Sequence, residues 1–328
     1  MGLTVTRRDL ALRPVATARG AIAHRTVWVV EITVDGLTGR GEAAPLPGFG
    51  GESLDACAAV LHRLEALDDR AWAAWEGRGP LPGEALLAAT PCARFAIEGA
   101  LIERLARRTG LPVAAWLGGS CTRLPVNALV DDADDVRRAR DAGFPVVKAK
   151  IGGDPALAHT RAEALAVVGV PLRLDANGTW NADAVRAADL PPLELLEQPL
   201  AGIAGHDALR SDRCPIGLDE AIRTPADLRA AVGQADAIVL KPQFLGGWAI
   251  FSALAGLAGR LGFQVIATTA LEGALGRAAA THYAAAAGLT ARAQGLATGD
   301  RLAEDLVSDP LVPVEGVLAL RDDPGWGV

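Results

Sequence analysis

The sequence lacks the marks of several common protein classes. Only 4% of its 328 residues are aromatic, and its four cysteines include no Cys-x-x-Cys pair, which argues against a zinc ribbon or a dithiol redox site. No run approaches the ~18 apolar residues of a transmembrane helix, and the first residues show no apolar core of a secretory signal. We therefore expect a cytoplasmic protein with no membrane partner and with free, structural thiols.

Basic residues are also fewer than acidic ones. Lys and Arg number 32 against 39 Asp and Glu, which gives a net charge of −7. Because a phosphate-binding surface needs clustered basic residues, this balance argues against a nucleic-acid partner. Half of the residues are hydrophobic, and the length exceeds one ordinary domain of ~100–200 residues. A barrel with a smaller second domain fits these numbers.

The first part of the chain predicts a mixed α+β unit. Residues 26–35 alternate in polarity and are rich in β-branched side chains, which favours a strand. Ser53 is typical of a helix N-cap and precedes a helix through about residue 67. A second helix is expected over 91–108, and Gly110 ends it. We assign residues 1–110 to this N-terminal domain.

From residue 125 onwards, short apolar segments alternate with Ala-rich helical stretches. Eight such units predict a parallel sheet closed into a (β/α)8-type barrel over residues 111–302. Residues 303–328 contain a hairpin-like stretch that we expect to return to the N-terminal domain. The eight expected strand segments are 126–130, 144–152, 171–177, 193–199, 215–222, 237–243, 263–269 and 291–299.

Charged residues recur at fixed positions in these segments. Asp175, Glu197, Asp219 and Lys241 follow one another at intervals of 22 residues, and Lys150 precedes Asp175 by 25. Each closes an apolar run, which places it at the C-terminal end of its strand. That end of a barrel is where active sites form.

The three carboxylates predict a metal site. Acids converging at one end of a barrel repel one another unless a cation lies between them, and oxygen ligands favour Mg²⁺, with Mn²⁺ as the second candidate. Asp175, Glu197 and Asp219 are the expected ligands; the alternative is that each caps the helix that follows it. Strand alternation selects Asp219 rather than its neighbour Glu220.

The lysines extend the same pattern. Lys148 and Lys150 are two residues apart on one strand, so both should point into the barrel mouth, and Arg173, Asp175 and Asn177 should likewise share a side. Neighbouring positive charge and desolvation favour the neutral amine, so one of these lysines is suited to act as a base. Lys241 lies on the sixth strand, opposite the second. This arrangement suits a small anionic carboxylate held between two lysines.

The segments VVKAKIG, RLDANGTW, LLEQPL, IGLDEAI and VLKP, in this order, resemble the enolase superfamily. The Lys-x-Lys on strand two and the lysine on strand six are similar to its muconate lactonizing enzyme-like subgroup. Within it, GRGEAAPLPGFGGES (39–53), Arg173 and the short length resemble the o-succinylbenzoate synthases. The resemblance implies a modified TIM barrel with an α+β capping domain.

The resemblance also implies a reaction. Such an enzyme removes water from 2-succinyl-6-hydroxy-2,4-cyclohexadiene-1-carboxylate to give 2-succinylbenzoate in menaquinone biosynthesis. Carried over, Asp175, Glu197 and Asp219 hold Mg²⁺, Lys150 removes the α-proton, and Lys241 stabilises the metal-bound enediolate. The proton returns to the departing hydroxyl in a syn elimination.

Further roles follow from the same resemblance. Lys148 would tune Lys150 and contact the substrate carboxylate, while Arg173 and Asn177 would orient Asp175 and the lysine. Loops over 13–25 and 45–50 would close over the substrate. The remaining expected substrate contacts are apolar cover from Phe49 and hydrogen bonds to the succinyl tail from Thr268 and Thr269.

Several alternatives stay open. N-succinylamino acid racemases need the same metal and two opposed lysines. Dipeptide epimerases typically add Asp-x-Asp after strand eight, where this chain has Thr298-Gly299-Asp300. Mandelate racemase-like members need a histidine at the end of strand seven, and none of the five histidines lies there. A barrel that binds a carboxylate or metal without turnover is the non-enzymatic alternative. The oligomeric state is left open.

Overall fold

Three antiparallel strands begin the chain: β1 (Gly2–Thr17), β2 (Gly20–Val34) and β3 (Leu37–Ala43), in the order β1-β2-β3. The computed structural model describes residues 2–17, 20–153, 155–308 and 311–328. Asp35 and Gly36 join β2 to β3 with φ of 51° and 77°, the two left-handed residues of a tight hairpin turn. The strand expected over 26–35 is therefore part of β2.

Five helices follow this sheet along the chain, and the first, second and fourth pack against it. Ser53 accepts a hydrogen bond from the amide of Ala56 and caps the first of them, as expected, and Gly110 ends the fourth with a φ of 72°. That fourth helix crosses β3 so closely that a Cβ at Gly39 or Gly41 would lie 2.0 Å from a helix carbonyl oxygen. The helices are α1 (Leu54–Leu64), α2 (Asp69–Ala74), α3 (Glu84–Leu87), α4 (Pro91–Thr109) and α5 (Val113–Trp116).

Eight parallel strands form the barrel, one in each segment expected from the sequence. They pair in chain order, and the ring closes where Thr268, just past the seventh, bridges Gly295 in the eighth. The (β/α)8-type barrel with a capping domain is thus confirmed. The strands are β4 (Arg123–Leu129), β5 (Val146–Lys150), β6 (Leu172–Asp175), β7 (Leu195–Glu197), β8 (Ile216–Leu218), β9 (Ala237–Leu240), β10 (Gln264–Ala267) and β11 (Gln294–Ala297).

The barrel helices are less regular than its strands. Residues 198–215, all of which the structure describes, contain no helix, and β11 is followed by a single 3-10 turn, Gly299–Arg301. The helices are α6 (Ala133–Asp141), α7 (Pro155–Ala166), α8 (Ala182–Ala187), α9 (Pro225–Ala230), α10 (Pro242–Leu245), α11 (Trp248–Arg260) and α12 (Ala274–Ala286).

The C-terminal segment, expected to return to the N-terminal domain, also pairs with the barrel. Its strand β12 (Val317–Ala319) pairs antiparallel with β4 of the barrel, not with the N-terminal sheet. Both ends of the segment do reach the capping domain: the amide of Ala303 donates to the carbonyl of Ala11 at 2.9 Å, and the indole of Trp326 donates to the carbonyl of Arg40 at 2.8 Å. One hydrophobic cluster runs from this domain into the barrel. A separate apolar layer inside the barrel consists of Leu195, Ala237, Val239 and Ile266.

Candidate active site

Three acids meet at the C-terminal end of the barrel strands. Asp175 and Glu197 are the last residues of β6 and β7, and Asp219 follows β8 directly. One carboxylate oxygen from each lies within 4.8 Å of the others. All three side chains are buried, with exposures of 1%, 0% and 4%. Buried carboxylates this close are costly unless they are compensated by positive charge.

This donor set fits a hard divalent cation. Oε2 of Glu197 is buried and accepts no hydrogen bond from the protein, so it retains a free lone pair for a metal. Three carboxylates with room for further oxygen ligands are the chemistry that Mg²⁺ and Mn²⁺ bind. Asp175, Glu197 and Asp219 are therefore the residues that would hold it.

Glu220 lies outside this cluster but beside it. Because β8 ends at Leu218, strand alternation no longer governs residue 220, and its side chain lines the same cavity as Asp175. Burial, together with the negative charge of Asp219, raises the pKa of the Glu220 carboxyl. It is a second acidic group at the cavity wall that strand alternation did not reveal.

Three lysines surround the acids. The ammonium of Lys148 forms ion pairs with Glu197 and with Asp175, the latter at 3.1 Å. Lys150 lies 3.0 Å from Asp175 and donates to the side-chain oxygen of Asn177 at 3.3 Å. From the other side of the ring, Lys241 pairs with Asp219. The structure thus brings all three predicted lysines to the acidic cluster.

These charged groups shift one another's pKa values. Burial alone would raise the pKa of Asp175, but Lys148, Lys150 and Lys241 outweigh it and hold that pKa well below its usual range. Burial would lower the pKa of Lys148 and of Lys241, yet the neighbouring carboxylates raise both. Burial raises the pKa of Glu197. The positive charge of Lys148 opposes this rise, and the negative charge of Asp175 adds to it. Lys148 and Lys241 are therefore held as cations.

Two turns after the strands adopt the left-handed region. Asn177 has a φ of 49°, which asparagine tolerates, and its amide donates to Oδ1 of Asp175 at 3.0 Å. Gln198 has a φ of 42°, and its fully buried side chain accepts from the amide of Asp219 at 2.9 Å. Gln198 thus fixes the backbone of a predicted metal ligand. The motif LLEQPL contained it, but sequence reasoning gave it no role.

Arg173, which was expected to orient Asp175, makes its hydrogen bonds to other residues. It is buried inside the barrel and donates to Glu194 at 2.9 Å and to the carbonyl of Ala293 at 3.1 Å. Two residues along a strand correspond to roughly 6.6 Å, so Arg173 lies one layer below Asp175. Arg173 also donates to the side-chain oxygen of Asn127 at 3.3 Å, and Asn127 lines the cavity.

A cavity of about 260 Å³ opens above the lysines. Phe49 and its neighbours in the loop over 45–50 cover it, and Thr268 and Thr269 line its wall. Both threonine hydroxyls donate to the carbonyl of Gly295, which fixes their rotamers. The expected loop over 13–25 is the end of the β1–β2 hairpin, whose Val15 and Ile22 line the cavity; residues 18 and 19 lie outside the described residues.

No helix in the described ranges is both long and apolar enough to cross a bilayer.

Two family models match the chain. One, described as enolase C-terminal domain-like, matches residues 131–328. The other, described as the mandelate racemase / muconate lactonizing enzyme N-terminal domain, matches residues 1–118. Together they correspond to the barrel-containing part and the capping part of the fold.

Individual relatives are similar in sequence and structure. The o-succinylbenzoate synthase of Mycobacterium ulcerans (strain Agy99) is 37% identical over 60% of this chain, a match that spans only 64% of that relative's length. Muconate cycloisomerase 1 of Rhodococcus opacus is 28% identical over 97% of this chain and 92% of its own. A dipeptide epimerase from Methylococcus capsulatus, solved with Mg and the dipeptide L-Arg-D-Lys, superposes with a TM-score of 0.82 at 27% identity, covering 100% of this chain and 99% of that one. The chain belongs to the enolase superfamily.

Proposed function

We propose that this protein is an o-succinylbenzoate synthase, a lyase that converts 2-succinyl-6-hydroxy-2,4-cyclohexadiene-1-carboxylate to 2-succinylbenzoate in menaquinone biosynthesis. The observation that carries the proposal is the placement of Lys150 and Lys241 on opposite sides of one buried acidic cluster. The 37% identity to a synthase of that name supports the choice of reaction. Mg²⁺ is the proposed cofactor, with Mn²⁺ as the second candidate.

The lysines divide the chemistry between them. Lys150, as the neutral amine, takes the proton from the carbon that bears the carboxylate. The ring carbon–oxygen bond then breaks, and the leaving hydroxyl recovers that proton from Lys150 and departs as water, which leaves an aromatic ring. Lys241, held as a cation by Asp219, stabilises the negative charge that develops on the substrate. A bound cation supplies further positive charge at the substrate carboxylate.

Other side chains orient the substrate. Lys148 keeps its ammonium between Glu197 and Asp175, where it can also attract the substrate carboxylate. Asn177 holds the amine of Lys150 through its side-chain oxygen. Phe49 covers the apolar ring, and Thr268 and Thr269 lie at the cavity wall. Each of these hydroxyls would have to turn from the carbonyl of Gly295 to donate to the oxygen acceptors of the succinyl tail.

The end of strand eight favours the synthase over a dipeptide epimerase. A dipeptide presents an ammonium group, which dipeptide epimerases typically hold with the Asp-x-Asp after strand eight. Here Thr298 lines the cavity with its hydroxyl 2.9 Å from that of Thr269, and Asp300 lines a separate cavity beside Arg13 and Arg301. The small carboxylate substrate we propose carries no ammonium group.

N-succinylamino acid racemisation is the second candidate. Lysines on opposite faces can remove a proton from one side of Cα and return one from the other, and the same acidic cluster serves both reactions. The arrangement of Lys150 and Lys241 is the observation that favours it.

An absorbance assay with the cyclohexadiene substrate and Mg²⁺ or Mn²⁺ tests the proposal directly. We expect metal-dependent formation of 2-succinylbenzoate that ends when the metal is chelated. In parallel, N-succinylamino acids in D₂O report exchange at Cα. Exchange without aromatic product would replace the synthase by the racemase, and the absence of both reactions would favour a non-catalytic carboxylate-binding barrel.

A further inference from the structure

Arg223 lies in the loop after β8, four residues beyond Asp219, and has no part in the chemistry proposed above. Its side chain lines the cavity and contacts both domains. Towards the barrel, Nε donates to the carbonyl of Glu220 at 3.3 Å, and the guanidinium lies over the ring of Phe244, 5.9 Å from its centroid. Arg223 is therefore fixed against the two segments that carry Asp219 and Lys241.

Towards the capping domain, the same guanidinium holds the loop over residues 45–50, which we call the lid loop. One terminal nitrogen of Arg223 donates to the carbonyl of Gly50 at 2.8 Å, and the other donates to that of Phe49 at 3.3 Å. Charge-assisted bonds of this kind are stronger than neutral ones, and the planar fork of arginine fixes their direction.

The backbone conformation and missing side chain of Gly50 make room for this contact. Its φ is +114°, in the region that favours glycine, and a Cβ at this position would lie 1.7 Å from the guanidinium nitrogen of Arg223. Any larger residue would push the arginine away from the lid loop. The two positions therefore fit each other across the domain boundary.

The ends of the lid loop are held separately, within the capping domain. Arg25 donates to the carbonyl of Pro45 at 2.8 Å, and Glu52, just past the loop, accepts from the amide of Ala93 at 2.9 Å. Loss of Arg223 therefore releases the tip of the loop, with Phe49, and leaves its ends in place.

We propose that Arg223 is a positioning residue that latches the lid loop to the barrel and thereby sets how tightly Phe49 covers the bound substrate. Amide hydrogen exchange of the wild-type protein and its variants tests the latch without any ligand. We expect Arg223→Ala to speed exchange in peptides spanning 45–51 about tenfold, Arg223→Lys to have an intermediate effect, and Arg229→Ala, on exposed α9, to have none. Unchanged exchange in the lid loop would overturn the latch. Faster exchange spread through the barrel strands would assign Arg223 to general stability and overturn it too.

A binding measurement, which rests on the proposed function, tests the consequence. With Mg²⁺ present, we expect 2-succinylbenzoate to bind Arg223→Ala about tenfold more weakly than wild type and, in turnover, KM to rise more than kcat falls. If Arg223→Lys restored affinity without restoring lid-loop protection, the arginine would act through its charge, and the latch would be wrong. If wild type bound no 2-succinylbenzoate, the proposed function would fail while the exchange result on the latch stood.

Discussion

Lys148 and Lys150 differ in what their amines can do, although both point into the barrel mouth. The amine of Lys148 contacts two carboxylates and its side chain is 10% exposed, whereas Lys150 contacts one carboxylate and is 23% exposed. A cation clamped by two carboxylates is a poor base. Lys148 is therefore the lysine that keeps its charge, which agrees with the proposal that Lys150 is the one that exchanges a proton with the substrate.

Replacing Lys150 tests this division. We expect Lys150→Ala to lower kcat for the proposed dehydration by about 10³-fold, in the range of a lost general base, with an unchanged circular dichroism spectrum. Near-normal turnover by this variant would show that another group takes the proton. Lys150→Arg keeps the charge but not the base, so it should be as inactive as the alanine variant.

Substitutions of the neighbouring acids Asp219 and Glu220 form a matched pair that tests which of them binds the metal. Calorimetric titration with Mn²⁺ should show that Asp219→Asn weakens binding by at least about 100-fold, because a ligand in the acidic cluster is lost. Glu220→Gln should change the affinity by less than about threefold, since that carboxylate lies outside the cluster. The reverse order would place the ligand one residue later in the chain.

At the scale of elements, the strands were predictable and one connection was not. Segments such as 193–199 and 237–243 are apolar runs that end in a charge, a pattern that specifies a buried strand and its active-site end. The chain between β7 and β8 was expected to be helical like its counterparts. Gly202 and Gly205 instead take φ of 74° and 88° there, and residues 198–215 form turns.

The errors about single side chains have a common cause. Alternation along a strand gives the side of the sheet but not the height along the barrel, so it could not show that Arg173 lies one layer below Asp175. Past a strand end, alternation fails altogether. Gln198 turns inward because its backbone is left-handed, and Glu220 reaches the cavity because β8 has already ended.

Gln198 joins the turn after β7 to the turn after β8. Its side chain accepts from the amide of Asp219 and donates to the carbonyls of Leu200 and Gly202, each at 2.8 Å. We expect Gln198→Ala to weaken Mn²⁺ binding about tenfold and to cost about 2–4 kcal/mol in the free energy of unfolding, because buried polar groups lose their partners.

Gln234→Ala is the control for this variant. Gln234 also holds the 198–215 connection, by accepting from the amide of His206 at 3.0 Å, but it makes no contact with Asp219 in the described structure. It should reduce stability and leave Mn²⁺ affinity unchanged. Equal loss of metal affinity in both variants would mean that the connection acts only through general stability.

At the scale of the whole molecule, the capping domain and barrel share one core. Glu42 on β3 accepts from the amides of Gly273 and Gly276 at 2.6 and 2.8 Å and so caps α12 of the barrel from the other domain. The hydrophobic cluster that runs between the domains adds to this contact. We therefore expect the two domains to unfold together in a single cooperative transition.

His282 on α12 makes that stability dependent on pH. Its Nδ1 accepts from the amide of Ala114 at 3.0 Å, and Nε2 donates to the carbonyl of Trp326 at 3.2 Å, so the neutral ring joins the barrel, α5 and the C-terminal tail. Burial lowers the pKa of His282 from 6.5 to about 4. Between these values the unfolded chain binds a proton at His282 that the folded chain does not, so the contribution of His282 to the free energy of unfolding rises with pH from 4 to 6.5.

Urea unfolding at pH 5.0 and 7.5 measures this contribution. Between pH 7.5 and 5.0 we expect the wild type to lose about 2 kcal/mol more stability than His282→Gln loses, because of the lowered pKa of His282. Glutamine is the replacement because its amide can accept and donate in the same places. His62→Gln on the surface of α1, where the ring is 58% exposed, should keep the wild-type dependence on pH. If His282→Gln kept that dependence too, the acid sensitivity would arise elsewhere, and the buried ring would not be the group that links the barrel, α5 and the tail to pH.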